Sequence, residues 1–164
     1  MRCDTTSRNF ELSQIAEECV HRYVESLGFK IIDTWAHLTS KGYSREEMEH
    51  ETKKWGDRVI PINKKRFYIE VIDEGDYEKN NYVVGRSKIN LYRGHFYAFH
   101  RHDGTVAFAL RDDVNDALFL LPWKNNGANK EDYKLLSLDN FKKTFDLWNF
   151  GLRLEDLSFN SEKL

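Results

Sequence analysis

Arg66-Phe67-Tyr68-Ile69-Glu70-Val71-Ile72 decides the fold. Its β-branched and aromatic residues suit a pleated surface, so it reads as a strand at the centre of the chain. Side chains alternate along a strand, so Ile69 and Val71 lie on the face opposite Glu70. Asp57-Arg-Val-Ile-Pro-Ile62 just upstream reads as a second strand, joined to the first by the polar turn Asn63-Lys64-Lys65. Pro61 cannot donate to a ladder, which predicts an end, a bulge or an edge there.

Farther upstream, Leu12, Ile15, Ala16, Cys19, Val20, Tyr23, Val24 and Leu27 recur at three- and four-residue steps. That apolar stripe predicts a helix over 11–27, stopped by Gly28. Phe29 to Trp35 reads as a strand. Ser44-Arg-Glu-Glu47 is a capping box opening a polar helix to about Trp55. Downstream, 73–81 reads as a loop. His95–Arg101 and Thr105–Leu110 form a hairpin about the turn dipeptide Asp103-Gly104. Ala117–Leu121 reads as a short strand stopped by Pro122, and 124–130 as a loop. A last helix is expected from about Ser137, with Leu138, Phe141, Phe145 and Trp148 on its buried face. Together these predict an α+β domain, a central mixed or antiparallel sheet flanked by helices, over 1–157. Residues 158–164 are expected to fray.

With 164 residues the chain is long enough to bury a sizeable core. No apolar run approaches the roughly 20 residues that span a bilayer. The opening Met1-Arg-Cys-Asp-Thr-Thr-Ser-Arg8 lacks an apolar leader. Two cysteines, Cys3 in a loose terminus and Cys19 on the apolar stripe, make no disulfide framework. These features predict a cytoplasmic protein with no membrane partner.

The net charge is −2, so a nucleic acid would have to be held by a local basic patch. Between Lys79 and His102 there is no acidic residue, while Lys79, Arg86, Lys88, Arg93 and Arg101 are positive. Tyr82, Tyr92, Phe96, Tyr97 and Phe99 interleave with them. Such a mixture suits a nucleic-acid surface, and equally a solvated strand face with its aromatics in the core.

Three carboxylates stand at telling positions. Asp57 follows Gly56 at a strand start, Glu70 lies within the next strand, and Glu18 (or Glu17) sits on the first helix. A hairpin can bring Asp57 and Glu70 to one end of the sheet, where two carboxylates with carbonyls and waters suit Mg²⁺. Against this, Glu70 reads equally as a solvent-facing strand residue, Asp57 as a turn residue and Glu18 as part of a polar helix face.

Ala16-Glu-Glu-Cys-Val-His-Arg-Tyr-Val-Glu-Ser-Leu-Gly-Phe-Lys-Ile-Ile32 resembles the opening helix and strand of the PD-(D/E)XK nucleases, which include restriction endonucleases and Holliday-junction resolvases. Trp55-Gly-Asp-Arg-Val-Ile60 followed by Phe67-Tyr-Ile-Glu-Val-Ile72 resembles their paired motif: an acid opening one strand, then acid, any residue, lysine on the next. The resemblance covers roughly residues 11 to 110. It implies a restriction-endonuclease-like fold and cleavage of DNA phosphodiesters with Mg²⁺ or Mn²⁺, RNA remaining open. On its pattern Asp57 and Glu70 are the metal acids, the Val71 carbonyl a further ligand and Glu18 the helix glutamate.

Position 72 departs from the pattern, because Ile72 stands where the family carries lysine. That lysine orients the attacking water and stabilises developing negative charge. Either Lys88 or Arg86 reaches back from the basic stretch to replace it, or the scaffold is degenerate. In the first case the chain is a metal-dependent nuclease with Glu18, Asp57, Glu70 and Lys88 as catalytic residues and Arg86, Lys88, Arg93 and Arg101 holding DNA. In the second it binds nucleic acid, or binds and inhibits a protein partner. His100 and His102 fall short of the three protein ligands of a catalytic zinc site. Phosphate-binding glycine loops and nucleophile elbows are absent from the sequence.

Overall fold

The structure, a computed structural model, describes residues 5–75, 79–125, 127 and 131–159, with the backbone alone over 5–10. The elements are α1 (Thr5–Ser26), β1 (Ile32–Asp33), α2 (Thr34–Ser40), α3 (Arg45–Trp55), β2 (Arg58–Ile62), β3 (Lys65–Asp73), β4 (Asn81–Gly85), α4 (Arg86–Leu91), β5 (Phe96–His100), β6 (Val106–Leu110), α5 (Arg111–Phe119), β7 (Tyr133–Ser137) and α6 (Leu147–Phe159).

Five strands form one mixed sheet in the order β1-β2-β3-β5-β6, and β4 pairs with β7 in a second, two-stranded sheet. The deciding strand β3 is central. It runs antiparallel to β2 on one side (Ile69 opposite Arg58) and parallel to β5 on the other (Ile69 beside Phe96). Parallel neighbours need a crossover, and β4 with α4 supplies it.

Both faces of β3 are covered. Phe67, Ile69 and Val71 join Phe96, Ala98 and Phe108 beneath Ala16, Val20 and Val24 of α1 and Phe150 and Leu154 of α6. On the other face Ile72, Tyr97, Phe99, Ala107 and Ala109 pack against Tyr82, Val84, Leu136, Val114 and Leu118. Burying each such side chain stabilises the fold by about 1.5–3 kcal/mol, so both faces carry core. The aromatics of the basic stretch belong here: Tyr82, Tyr92, Phe96, Tyr97 and Phe99 are at most 1% exposed, which rules them out as a base-stacking surface.

The structure corrects several expected elements. Only Ile32–Asp33 of the strand expected over 29–35 forms, because the Asp33 carboxylate accepts from the Ala36 N–H (3.2 Å) and caps α2. Residues 117–119 end helix α5, whose buried Val114 and Leu118 are four apart, and Leu120 caps it. The segment before Ser137 is strand β7, and the last helix begins ten residues later. Leu138 and Phe141 are buried in the turn between them, while Trp148, expected in the core, is 68% exposed. β4 and α4 were not foreseen. The capping box at Ser44 and the hairpin of β5 and β6 form as expected; α1 forms too, but it begins at Thr5, and Ile15 of its expected apolar stripe is 60% exposed. β2 outruns its two-residue neighbour β1, so Pro61 lies on an open edge. Cys3 and 160–164 lie outside the described residues. Among the described residues no helix is long and apolar enough to cross a membrane.

Candidate active site

Asp57 is set by the end of α3. Gly56 caps that helix at φ +87°, a conformation side chains rarely adopt, and a Cβ there would stand 2.7 Å from the Ile69 carbonyl oxygen. The Asp57 N–H donates to that same carbonyl (2.9 Å), and Asp57 Oδ2 accepts from the Val71 N–H (2.8 Å). The acid is thereby pinned to β3 on either side of Glu70.

Glu70 is not the solvent-facing residue that its place on the strand allowed. It is 7% exposed and near enough to Asp57 for that carboxylate to act on its charge. Burial, and then the Asp57 charge, push its pKa well above the usual carboxylate range. Lys88 reaches over from α4 and places Nζ 3.2 Å from Glu70 Oε1. Burial opposes the charge on Lys88, but Glu70 and Asp57 outweigh that and hold its pKa above the ordinary value. Asp57, Glu70 and Lys88 line a cavity of about 260 Å³ with Thr52, Lys53, Gly85, Ser87 and Glu131. The Ser87 N–H donates to Glu131 Oε2 (3.0 Å), tying the start of α4 to the segment before β7.

Ile72 is 6% exposed and packs in the second core with Tyr82, Tyr97 and Phe99. A hydrocarbon there stabilises that core, and the ammonium beside Glu70 comes from the crossover helix instead.

On α1 it is Glu17 that faces the site. Its Oε1 lies 3.0 Å from Nη1 of the buried Arg58, and the same Nη1 donates to the Asp57 carbonyl (2.9 Å). Burial and the Asp57 carboxylate push the Glu17 pKa up to about 7. Glu18, expected as the helix glutamate, pairs with Arg22 (3.2 Å) and is 53% exposed, and it lines with Glu17 and Asp57 a cavity beside Arg58.

The expected phosphate-binding residues are not gathered in one place. Arg86 is paired with Asp132 (2.9 Å) and lies over Trp123 (4.7 Å). Arg93 is exposed beside the end of α3, where its N–H donates to the Lys54 carbonyl (2.6 Å). Arg101 lies past the opposite end of β5, roughly 16 Å away by strand rise, and donates to Asn80 Oδ1 (2.7 Å). His100 is engaged by Asp73 (2.9 Å). Among the described residues no three or more His, Cys, Asp or Glu side chains form a metal-binding group.

The sequence pattern singles out neither Arg58 nor Glu131, and names Glu17 only as the alternative to Glu18. Glu17 and Glu18 are adjacent, and the helix phase that separates them depends on where β2 crosses α1, which periodicity does not encode.

No protein-family model matches the chain, and no curated protein matches its sequence. Solved structures do share its fold. A bacterial homing endonuclease superposes with a TM-score of 0.51 at 11% identity, covering 93% of this chain and 96% of that one. The Holliday junction resolvase Hjc of the archaeal hyperthermophile Archaeoglobus fulgidus gives 0.50 at 7% identity, covering 85% and 94%. The chain therefore has a restriction-endonuclease-like nuclease fold.

Proposed function

We propose that the protein is a divalent-metal-dependent nuclease that cleaves DNA phosphodiesters, with Asp57 and Glu70 as the acids of its centre and Lys88 in place of the missing motif lysine. The observation that carries this is the position of Lys88 Nζ, 3.2 Å from Glu70 Oε1 and on the cavity shared with Asp57. Two carboxylates on one cavity, one of them buried and its pKa raised by the other, suit a cation better than they suit each other. Mg²⁺ is commonly held by only one or two carboxylates, the rest of its shell being carbonyl, water and substrate oxygens. Val71 supports a role as carbonyl ligand, since N–H and C=O of one residue leave a strand on the same side and its N–H meets Asp57.

Bound there, the metal ion would activate water and neutralise charge on the phosphate. Lys88 carries a second positive charge to the same cavity, where it orients the nucleophile and stabilises charge developing on the phosphoryl oxygens. Glu17, through Arg58, holds the main chain of Asp57 and takes the place foreseen for Glu18.

The test is incubation of duplex, branched and single-stranded DNA, and of RNA, with Mg²⁺ or Mn²⁺. Cleavage is expected by the wild type, and loss of more than about a hundredfold in Asp57→Asn and Glu70→Gln. Equal traces from wild type and both variants on every substrate would end the proposal and leave a binding module on a nuclease scaffold.

A further inference from the structure

Around Asp57 and Glu70 the cations divide into two groups. Arg58, Arg86 and Lys88 are each engaged by a carboxylate, at 3.0, 2.9 and 3.2 Å. Lys53, Lys54, Arg66 and Arg93 are exposed, and among the described residues no acid lies within ion-pair reach of them. A cation held by a carboxylate must give up that partner to meet a phosphate, and a free one need not.

The four free cations come from three parts of the chain and meet beside the cavity. Lys53 and Lys54 close α3, and Lys53 lines the cavity. Arg93 is tied to the same turn, since its N–H donates to the Lys54 carbonyl (2.6 Å). Its guanidinium donates to the main-chain carbonyls of Asn90 (3.1 Å) and Tyr92 (3.3 Å), which leaves its charge unneutralised. Lys54 Nζ lies over the half-buried Trp55 ring (5.1 Å), and that ring packs at 4.8 Å against Tyr68. Tyr68 and Arg66 stand two and four residues before Glu70 on the same face of β3, so Arg66 is roughly 13 Å from Glu70 along the strand. Burial, and then the charges of Lys41 and Arg66, hold the His37 pKa below its ordinary value, so the positive field reaches α2. Against it stands Glu51, which accepts from Trp55 Nε1 (3.0 Å), while Glu46 and Glu47 lie in the first turn of α3. Lysines in the last turn of a helix offset its dipole, which accounts for Lys53 and Lys54 but not for Arg66 and Arg93.

We infer that Lys53, Lys54, Arg66 and Arg93, over the floor of Trp55 and Tyr68, form a strip that grips the sugar-phosphate backbone of DNA on one side of the scissile phosphate. The inference rests on the nuclease reading and narrows it: the grip runs from the cavity along β3 toward its start. Its length of roughly 13 Å matches about four base steps of 3.4 Å. Contacts to the backbone set position and carry no sequence information, so the grip is the same for any base sequence.

The experiment measures binding apart from cleavage. Labelled DNA duplexes of two unrelated sequences are titrated by fluorescence anisotropy in Ca²⁺ without Mg²⁺, over about 0.05–0.2 M salt. Lys54→Gln and Arg66→Gln should each lower the slope of log affinity against log salt by about one, and together by about two, on both sequences. Each single change should weaken binding about tenfold at about 0.1 M salt. Lys54→Arg, which keeps the charge, should keep the wild-type slope. Lys79→Gln should keep it too, since Lys79 is exposed at the opposite end of β5, where its charge acts on Asp103. A melting curve for each variant verifies folding.

No binding of either duplex, slopes unmoved by Lys54→Gln and Arg66→Gln, or equal losses from Lys54→Arg or Lys79→Gln would overturn the inference. Cleavage in Mg²⁺ with the slopes unmoved removes the strip and leaves the nuclease. Slopes that fall as expected, with no cleavage of any substrate, remove the nuclease and leave the strip.

Discussion

At the scale of single residues, the site depends on which acids are buried and what faces them. Glu17 and Glu18 are neighbours in sequence, yet one meets Arg58 and the other meets solvent and Arg22. Glu17→Gln should therefore slow cleavage by about tenfold or more, and Glu18→Gln should leave it nearly unchanged, measured on the same DNA substrate. Glu17 also gives the metal-free protein a pH dependence. Its folded pKa, about 7, is above its unfolded value of 4.5, so its contribution to stability is full below pH 4.5 and is lost as pH rises through 7. The amplitude is at most ~3 kcal/mol. Glu70 acts in the same direction, since its pKa is also raised. Melting temperature without metal should fall from pH 5 to pH 8, fall less in Glu17→Gln, and recover at pH 8 on adding Mg²⁺. A melting temperature that rises over that range would contradict these assignments.

At the scale of elements, α3 and α4 bring the chemistry to the central strand. α3 ends in Gly56, whose left-handed backbone presses against Ile69 and delivers Asp57 to β3. Gly56→Ala should destabilise the fold by about 1–3 kcal/mol, by strain and by collision with the carbonyl, and should lower cleavage beyond what the lost stability explains. Denaturant titration with single-turnover kinetics measures both. Elements with a strong local signal were legible in the sequence: the stripe of α1, the capping box of α3, the Asp103-Gly104 turn, and the pair β2 and β3. Those decided by tertiary contact were not. α4 has only six residues and no side-chain cap, so nothing local distinguishes Arg86–Leu91 from a connector. The β7 strand earns its pairing from β4, far away in sequence. Asp57 and Glu70 were legible because a hairpin fixes their register. The partner that Lys88 supplies became visible only when α4 was placed across β3.

At the scale of the whole molecule, the proposed function requires a chain with net charge −2 to hold DNA through a few local cations. We propose Arg93, exposed beside the end of α3 that also carries the cavity-lining Lys53, as a cation met by an entering strand, whereas Arg101 donates to Asn80 at the far end of β5. Arg93→Ala should weaken duplex binding and lower the slope of log affinity against log salt by about one, and Arg101→Ala should leave that slope unchanged. Equal slopes for both variants would place the DNA elsewhere on the surface. The two-faced core gives Ile72 a packing role at the position where the resemblance would place a lysine. The second layer of β4, β7 and α5 uses that side chain for packing, and the crossover it frames returns an amine to the same carboxylate.

The central claim is that this returned amine does the work of the missing lysine. Single-turnover cleavage in saturating Mg²⁺ by wild type and by Lys88→Met, both shown by melting to be folded, tests it most directly. The rate should fall by about 10²–10³ with substrate affinity changed less than threefold, as removal of one charge-stabilising donor predicts. A Lys88→Met rate within threefold of wild type would contradict it.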